Sequence, residues 1–305
     1  MNVTKLKRKG MRDVGELIFY ICLVALPLLQ LAIFYVYVNF NSILMSFQTY
    51  DQLSGKFVWN VGANFTRLWT ELTKTSILKD AFLNSLSVWL LMSIFGRFLA
   101  ILFSYYIYKK CVMSKVFKFF LFLPSVLPGI LLVLVFKFFA NEAIPGYYLE
   151  FFGETINPLL IGTDTLMPTV YFFCVWVSFG GQILIYTGAM DQIAPEIIEA
   201  GKVDGVKPVQ EFFCIVVPLI LPTVATFMIA SVATLFTDQA SLYSFFGEAV
   251  DFENATIGYY LFILVNKTGN GKSMYTYASA LGLVCTMIAF PLTLLVRRLL
   301  EGKEE

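Results

Sequence analysis

The chain has 305 residues, 58% hydrophobic and 14% charged, with a formal net charge of +1 at pH 7, a balance that excludes an ordinary soluble domain and leaves no basic footprint for a nucleic-acid partner. It contains no histidine, which removes His-based metal ligation, the commonest general base and the His type of proton relay. The five cysteines (Cys22, Cys111, Cys174, Cys214, Cys285) are scattered with no Cys-x-x-Cys, so neither a disulfide framework, a metal site nor a cofactor is expected.

Six apolar runs approach the ~20 residues that a helix needs to cross a bilayer, and they predict an all-α, polytopic membrane protein. The first runs from about Leu17 to Val38; the basic KLKRKGMR before it precedes a run too long for a signal-peptide core, so it reads as a retained span. Ala81 to Tyr108 follows and carries Arg97 well inside, roughly 16 Å along the axis from its basic end, too far for snorkelling, so Arg97 should face protein or an aqueous cavity. The third run, Val116 to Phe136, begins near Lys118, and the fourth is Leu166 to Met190. Then comes a polar segment, about residues 191–218, in which Pro195 to Val203 predicts a short helix, Gly205 a left-handed stop and Pro208 the first turn of a returning helix. Five acids there (Asp191, Glu196, Glu199, Asp204, Glu211) are expected to keep its first part in water. Cys214 to Phe236 is the fifth run and Met274 to Val296 the sixth. The organisation is thus a segment at 1–16, one six-helix transmembrane domain at 17–296 and a tail at 297–305.

Lysine and arginine placement gives the orientation. With the N-terminus inside, 14 of the 22 basic residues fall on inner segments, so both termini and the 191–218 segment are expected to be cytoplasmic. The outer segments are longer and suit a lid or a docking surface. Gly271-Lys272-Ser273 resembles the end of a phosphate loop, but the first glycine of that pattern would fall at Asn266, so it carries no weight. Nor do the Asn-x-Thr sequons at Asn2, Asn64, Asn254 and Asn266, which are expected by chance and would mean nothing if the host were bacterial.

The polar segment resembles the EAA loop of ABC importer permeases, whose pattern is Glu-Ala-Ala, three residues, Gly, nine residues, Ile-x-Leu-Pro. Here Glu199-Ala200 leads, Gly201 stands for the second Ala, Asp204 precedes Gly205, and Ile215-Val216-Val217-Pro218 closes it with Val217 for Leu. Phe34-Tyr35, Asn41-Ser42-Ile43, Val61-Gly62-Ala63-Asn64-Phe65, Leu123-Pro124 and Ile193-Ala194-Pro195-Glu196 extend the resemblance to the maltose-type or glycerol-phosphate-type first permease of the carbohydrate-uptake group. It implies a type I importer permease fold in a prokaryotic cell membrane. The partners it implies are a second, homologous permease, two copies of a cytoplasmic ATPase and an extracellular or periplasmic solute-binding protein that delivers a carbohydrate. No catalysis is assigned to the chain itself.

The same resemblance makes Glu199, Ala200, Gly201, Asp204, Gly205, Ile215 and Pro218 the ATPase-coupling residues: a lever helix, its exit turn and the angle of re-entry. It sets Cys174, Val177, Ser178, Gly181, Ser231, Leu235 and Asp238 at ligand-contacting positions, Cys174 and Leu235 standing where relatives carry amides. Gln182, Tyr186, Thr234 and Thr237 lie near enough to supply replacement hydrogen bonds. The substrate path is therefore expected along Ser178, Gly181, Gln182, Tyr186, Ser231, Thr234 and Asp238, each of which would otherwise be helix-packing glue. The alternatives are a permease for a non-sugar solute such as glycerol phosphate, and an ion-coupled secondary transporter, for which Arg97, Lys137 and Asp238 are the intramembrane charges on offer. A membrane enzyme acting on lipid-linked sugars would need an acid cluster that the sequence lacks.

Overall fold

The computed structural model describes residues 14–266 and 271–301. The basic N-terminal cluster, the sequon at Asn2 and the last four residues lie outside them, as do two residues of the sequon at Asn266. Six helices are long and apolar enough to cross a membrane: Ile18–Ser46, Ile77–Tyr108, Gly129–Phe152, Asp164–Met190, Pro208–Ala233 and Ser273–Leu300, here called spans one to six.

Two compact units can be distinguished. One comprises the described residues up to Thr66 with Gly271–Leu283; the other comprises Arg67 to Asn266 and the residues from Val284 onward.

In the first unit, span one runs beyond the expected Val38 to Ser46 and then turns into a two-stranded antiparallel hairpin, Gln48–Asp51 with Lys56–Trp59, within the first of the segments expected on the outer side. Its register pairs Tyr50 with Phe57 and Asp51 with Lys56. The Asp51 carboxylate accepts the Ser54 hydroxyl and the backbone N–H groups of Leu53 at 3.0 Å and Ser54 at 3.3 Å, bonds that favour its ionised form, the Ser54 side chain most, and hold its pKa below the ordinary value. Gly55, at φ +66°, completes the reversal. Asn64 is 6% exposed and its amide donates to the carbonyls of Ser46 at 3.0 Å and Gln48 at 2.8 Å, fastening the next helix to the hairpin. The side chain of that sequon is thus occupied with structure.

The second unit holds spans two to five. Here the expected third span, Val116 to Phe136, is corrected. Leu127 is extended (φ −77°, ψ +143°) and the run is divided into Ser114–Val126 and Gly129–Phe152, of which only the second is of membrane-crossing length. Pro128 is the cause: its ring disfavours helical backbone at the residue before it, and it lacks the N–H a continuing helix would use. Span five starts at Pro208 rather than Cys214, because Pro208 fits the first turn and leads directly into a wider π-helical turn at Glu211–Val216.

Two buried apolar clusters organise this unit. The first gathers Leu132, Val133 and Ala140 of span three, Val170 and Phe173 of span four, and Leu242, Phe245, Val250, Ala255, Tyr259 and Ile263 from the segment after span five. Phe173 meets Phe136 at 4.9 Å and Phe245 at 4.8 Å between ring centroids, both tilted or edge-on, the arrangement aromatic quadrupoles prefer. The second joins Ala100, Ile101 and Ile107 of span two, Val175, Phe179, Ile183, Tyr186 and Met190 of span four, and Ile198, Phe212, Val216 and Ile220 from the polar segment and span five. Spans two and four are the most buried of the six, and span one has none of its apolar window buried. Long apolar faces left open in this way are stable against lipid or another protein, not against water.

Candidate functional site

The 191–218 segment folds as its residues dictate. A helix runs from Pro195 to Val203 with Pro195 in its first turn, Gly205 stands at φ +75°, and a second helix begins at Pro208. Along the first helix Glu196, Ile197, Glu199, Ala200, Lys202 and Val203 are exposed while Ile198 and Gly201 are buried. An outward face that mixes acids with Ile197 and the 88% exposed Val203 is therefore carried on an inward apolar foot.

Gly201 explains its own identity. A Cβ built there would stand 2.9 Å from Ile215 Cδ1, so the side chain closing the motif occupies the space a methyl group would need. Asp204 and Gly205 are exposed at the turn, and Pro218 lies exposed two residues past the π-helical turn. Of the five acids, four are exposed as expected, but Glu211 is 4% exposed and does not solvate the segment. Both its carboxylate oxygens accept from Lys109 Nζ, at 2.8 and 3.0 Å, and the Tyr105 hydroxyl lies 3.2 Å from one of them. A lysine just past span two compensates the charge, which is what permits the burial.

A cavity of about 150 Å³ is lined by Ser85, Val88, Trp89, Met92, Ser93 and Arg97 of span two, Gln182 of span four, Ser231 of span five, and Thr234, Leu235 and Asp238 just past its end. Four of the seven path residues expected from sequence therefore meet in one place: Gln182, Ser231, Thr234 and Asp238. The other three lie elsewhere. The Ser178 hydroxyl donates to the Val175 carbonyl at 2.7 Å and faces Gly96 across the span two to span four contact. Gly181 is exposed, and Tyr186 is fully buried in the second cluster, its ring 6.2 Å from that of Phe227 and its hydroxyl toward Arg97 of the cavity wall. Cys174 and Val177 pack against the first cluster.

Polar atoms crowd the cavity wall. Trp89 Nε1 donates to the Ser231 carbonyl at 3.0 Å, and the Ser93 and Ser231 hydroxyls are 3.2 Å apart. Arg97 is 6% exposed and donates to the carbonyls of Ser93 at 3.1 Å and Phe227 at 3.2 Å and to Met228 Sδ at 3.1 Å. Its Nε and the Gln182 Oε1 are buried with no hydrogen-bond partner among the described residues. Asp238 accepts the Ala240 N–H at 2.8 Å, and its backbone carbonyl accepts the Thr256 hydroxyl at 2.9 Å. Gly258 is required beside it, since a Cβ there would fall 2.5 Å from that carbonyl oxygen. The span-two residues were missed as path candidates, yet the signal was present: Ser85, Trp89, Ser93 and Arg97 recur every fourth residue, one face of a helix.

The chain matches, over residues 92–301, the family described as binding-protein-dependent transport system inner membrane component. It is 23% identical over 173 residues to the multiple sugar-binding transport system permease protein MsmF of Streptococcus mutans, covering 56% of this chain and 58% of that one. It is 26% identical over 220 residues to the sn-glycerol-3-phosphate transport system permease protein UgpA of Escherichia coli O6:K15:H31, covering 71% and 72%. Its fold superposes with a TM-score of 0.77, at 18% identity and over 94% of this chain and 96% of the other, on a chain from the crystal structure of a bacterial ABC transporter involved in the import of the acidic polysaccharide alginate.

Proposed function

The chain belongs to the family of binding-protein-dependent transport system inner membrane components, is a multi-pass membrane protein, and from that premise we propose that it is the permease subunit of an ABC importer for a saccharide. The observation that carries the reading is the Pro195–Val203 helix with its exposed face, its positive-φ exit at Gly205 and its buried foot on spans two, four and five. Such a lever gives an external motor something to push. Glu199, Ala200, Gly201, Asp204, Gly205, Ile215 and Pro218 form and aim it, two cytoplasmic ATPase copies supply the stroke, and a second permease supplies the other half of the pathway. A solute-binding protein delivers the ligand. Basic residues at Lys109 to Lys118, Lys202, Lys207, Arg297 and Arg298 favour an arrangement with the coupling segment and both termini in the cytoplasm.

The cavity supports a sugar path. Its polar groups are short hydroxyls, an amide, an indole N–H, the Arg97 guanidinium and the Asp238 carboxylate, groups suited to hydroxyl-rich ligands, and at about 150 Å³ it is smaller than the roughly 300–1,000 Å³ of a small-molecule site. A single chain in this conformation thus offers part of a pathway rather than a complete pocket. Arg97 favours a saccharide that carries a carboxylate: it is buried on the cavity wall, its bonds run to carbonyls and a thioether, and a buried cation gains most from an anion. The acidic polysaccharide handled by the transporter that shares this fold points the same way.

Uptake in a strain carrying the whole importer tests this. An oligouronate should be accumulated in an ATP-dependent manner, and Arg97→Gln should cut its uptake by about tenfold or more, the worth of a charged hydrogen bond of roughly 1.5–3 kcal/mol, with a smaller effect on a neutral oligosaccharide. Uptake of neither class, with no ATPase recovered on purification, would overturn the permease reading.

A further inference from the structure

We propose that Glu211, Lys109 and Tyr105 form the strut through which the coupling segment moves span two, and hence the cavity wall; the proposal rests on the permease reading above. The coupling helix is joined to the bundle by apolar contacts, with Ile198 in the second cluster and Gly201 against Ile215. Contacts of that kind are non-directional and tolerate sliding. The Glu211 contact is of another kind. It lies just after Pro208, at the start of the π-helical turn Glu211–Val216, and receives Lys109 Nζ on both oxygens at 2.8 and 3.0 Å. The Tyr105 hydroxyl stands 3.2 Å from Glu211 Oε1 and 3.1 Å from the Pro208 carbonyl, so its single hydrogen serves one or the other. The Tyr105 and Phe212 rings pack at 5.0 Å beside it.

With Glu211 4% exposed, pulling the pair apart leaves a carboxylate buried and unpaired, which makes the joint stiff where the apolar contacts are soft. Lys109 follows Tyr108 at the end of span two, and Arg97 lies twelve residues back along the same helix, roughly 18 Å at the usual rise. Beyond it on that face come Ser93, Trp89 and Ser85, all on the cavity wall. One rigid element therefore runs from the coupling segment to the site, and this pair is its charged attachment.

A structural role alone would affect how much complex assembles, so the test reads motion per assembled complex. In a complex freed of native cysteines, Ser85→Cys reports the cavity through its rate of labelling by a maleimide, measured nucleotide-free and after trapping with ATP and vanadate. With the pair intact, the two rates should differ. Glu211→Gln and Lys109→Met should each shrink that difference by about tenfold or more while ATP is still hydrolysed at the basal rate, because the lever still turns but no longer pulls span two. Lys109→Arg should preserve the difference, and the exchange Lys109→Glu with Glu211→Lys should restore a large part of it. Variants that assemble in lower amount yet keep the full difference per complex would overturn the strut and leave the permease reading standing. An intact complex that binds no ATPase would overturn both.

Discussion

At the scale of single residues, two glycines four positions apart do different work. Gly205 has open space where a side chain would go, but its φ is +75°, so the constraint lies in the backbone alone. A β-branched residue there costs roughly 1–2 kcal/mol in the turn and misaims the lever. Gly205→Val should therefore abolish uptake at equal expression, as followed by solute accumulation in whole cells; wild-type uptake would show that the turn is dispensable. Gly201 has ordinary backbone but no room, since Ile215 Cδ1 fills the place of its methyl group. Because that atom is the end of a flexible side chain, Gly201→Ala should cost near the low end of the roughly 1–3 kcal/mol typical of overpacking. Adding Ile215→Val should recover it, as read from the thermal midpoint of the purified complex. A double variant no more stable than the single one would mean that the two residues do not share that space.

At the scale of elements, the cavity face of span two and the end of span five separate residues that look equivalent in sequence. Ser178 and Ser231 are both hydroxyls inside spans, and each donates to its own helix backbone at 2.7 Å. Only Ser231 borders the cavity; Ser178 faces Gly96 where spans two and four meet closely. Ser231→Trp should fill a space of about 150 Å³ and stop transport while assembled complex still hydrolyses ATP. Ser178→Trp should instead wedge two packed helices apart and lower the yield of assembled complex. Size-exclusion profiles and ATPase assays of the two variants distinguish these outcomes, and normal transport by Ser231→Trp would remove this cavity from the path. The same scale shows how a proline redirects an apolar run: hydropathy is continuous from Val116 to Phe136, yet Pro128 ends one helix and starts another.

At the scale of the whole molecule, the chain reads as one part of a machine. Span one leaves its apolar window wholly exposed, and the Pro195–Val203 helix presents Ile197 and Val203 outward. No phosphate-binding loop accompanies them: Gly271-Lys272-Ser273 opens span six, with Asn266 where the loop's first glycine would have to be. The purified chain by itself should therefore hydrolyse no ATP above background and move no solute into vesicles. Accumulation by the lone chain would contradict the importer reading and favour an ion-coupled carrier.

What the sequence determined by itself was whatever depends on neighbours along the chain. Apolar runs of membrane-crossing length predicted six spans, and the Pro195, Gly205 and Pro208 spacing predicted helix, turn and helix, because these rest on local backbone preferences and on the thickness of a bilayer. The hairpin after span one escaped, since its decisive bonds, from the Asp51 carboxylate and the Asn64 amide, are side chain to backbone and leave no periodic trace. Tertiary structure alone decided which polar residues inside the spans face a cavity and which are packing, and that Glu211 is buried against a lysine about a hundred residues away instead of lying in water. The physical reason is that a charge or hydroxyl in a low-dielectric interior takes its character from the partner opposite it, and only the folding of separate helices against one another supplies that partner.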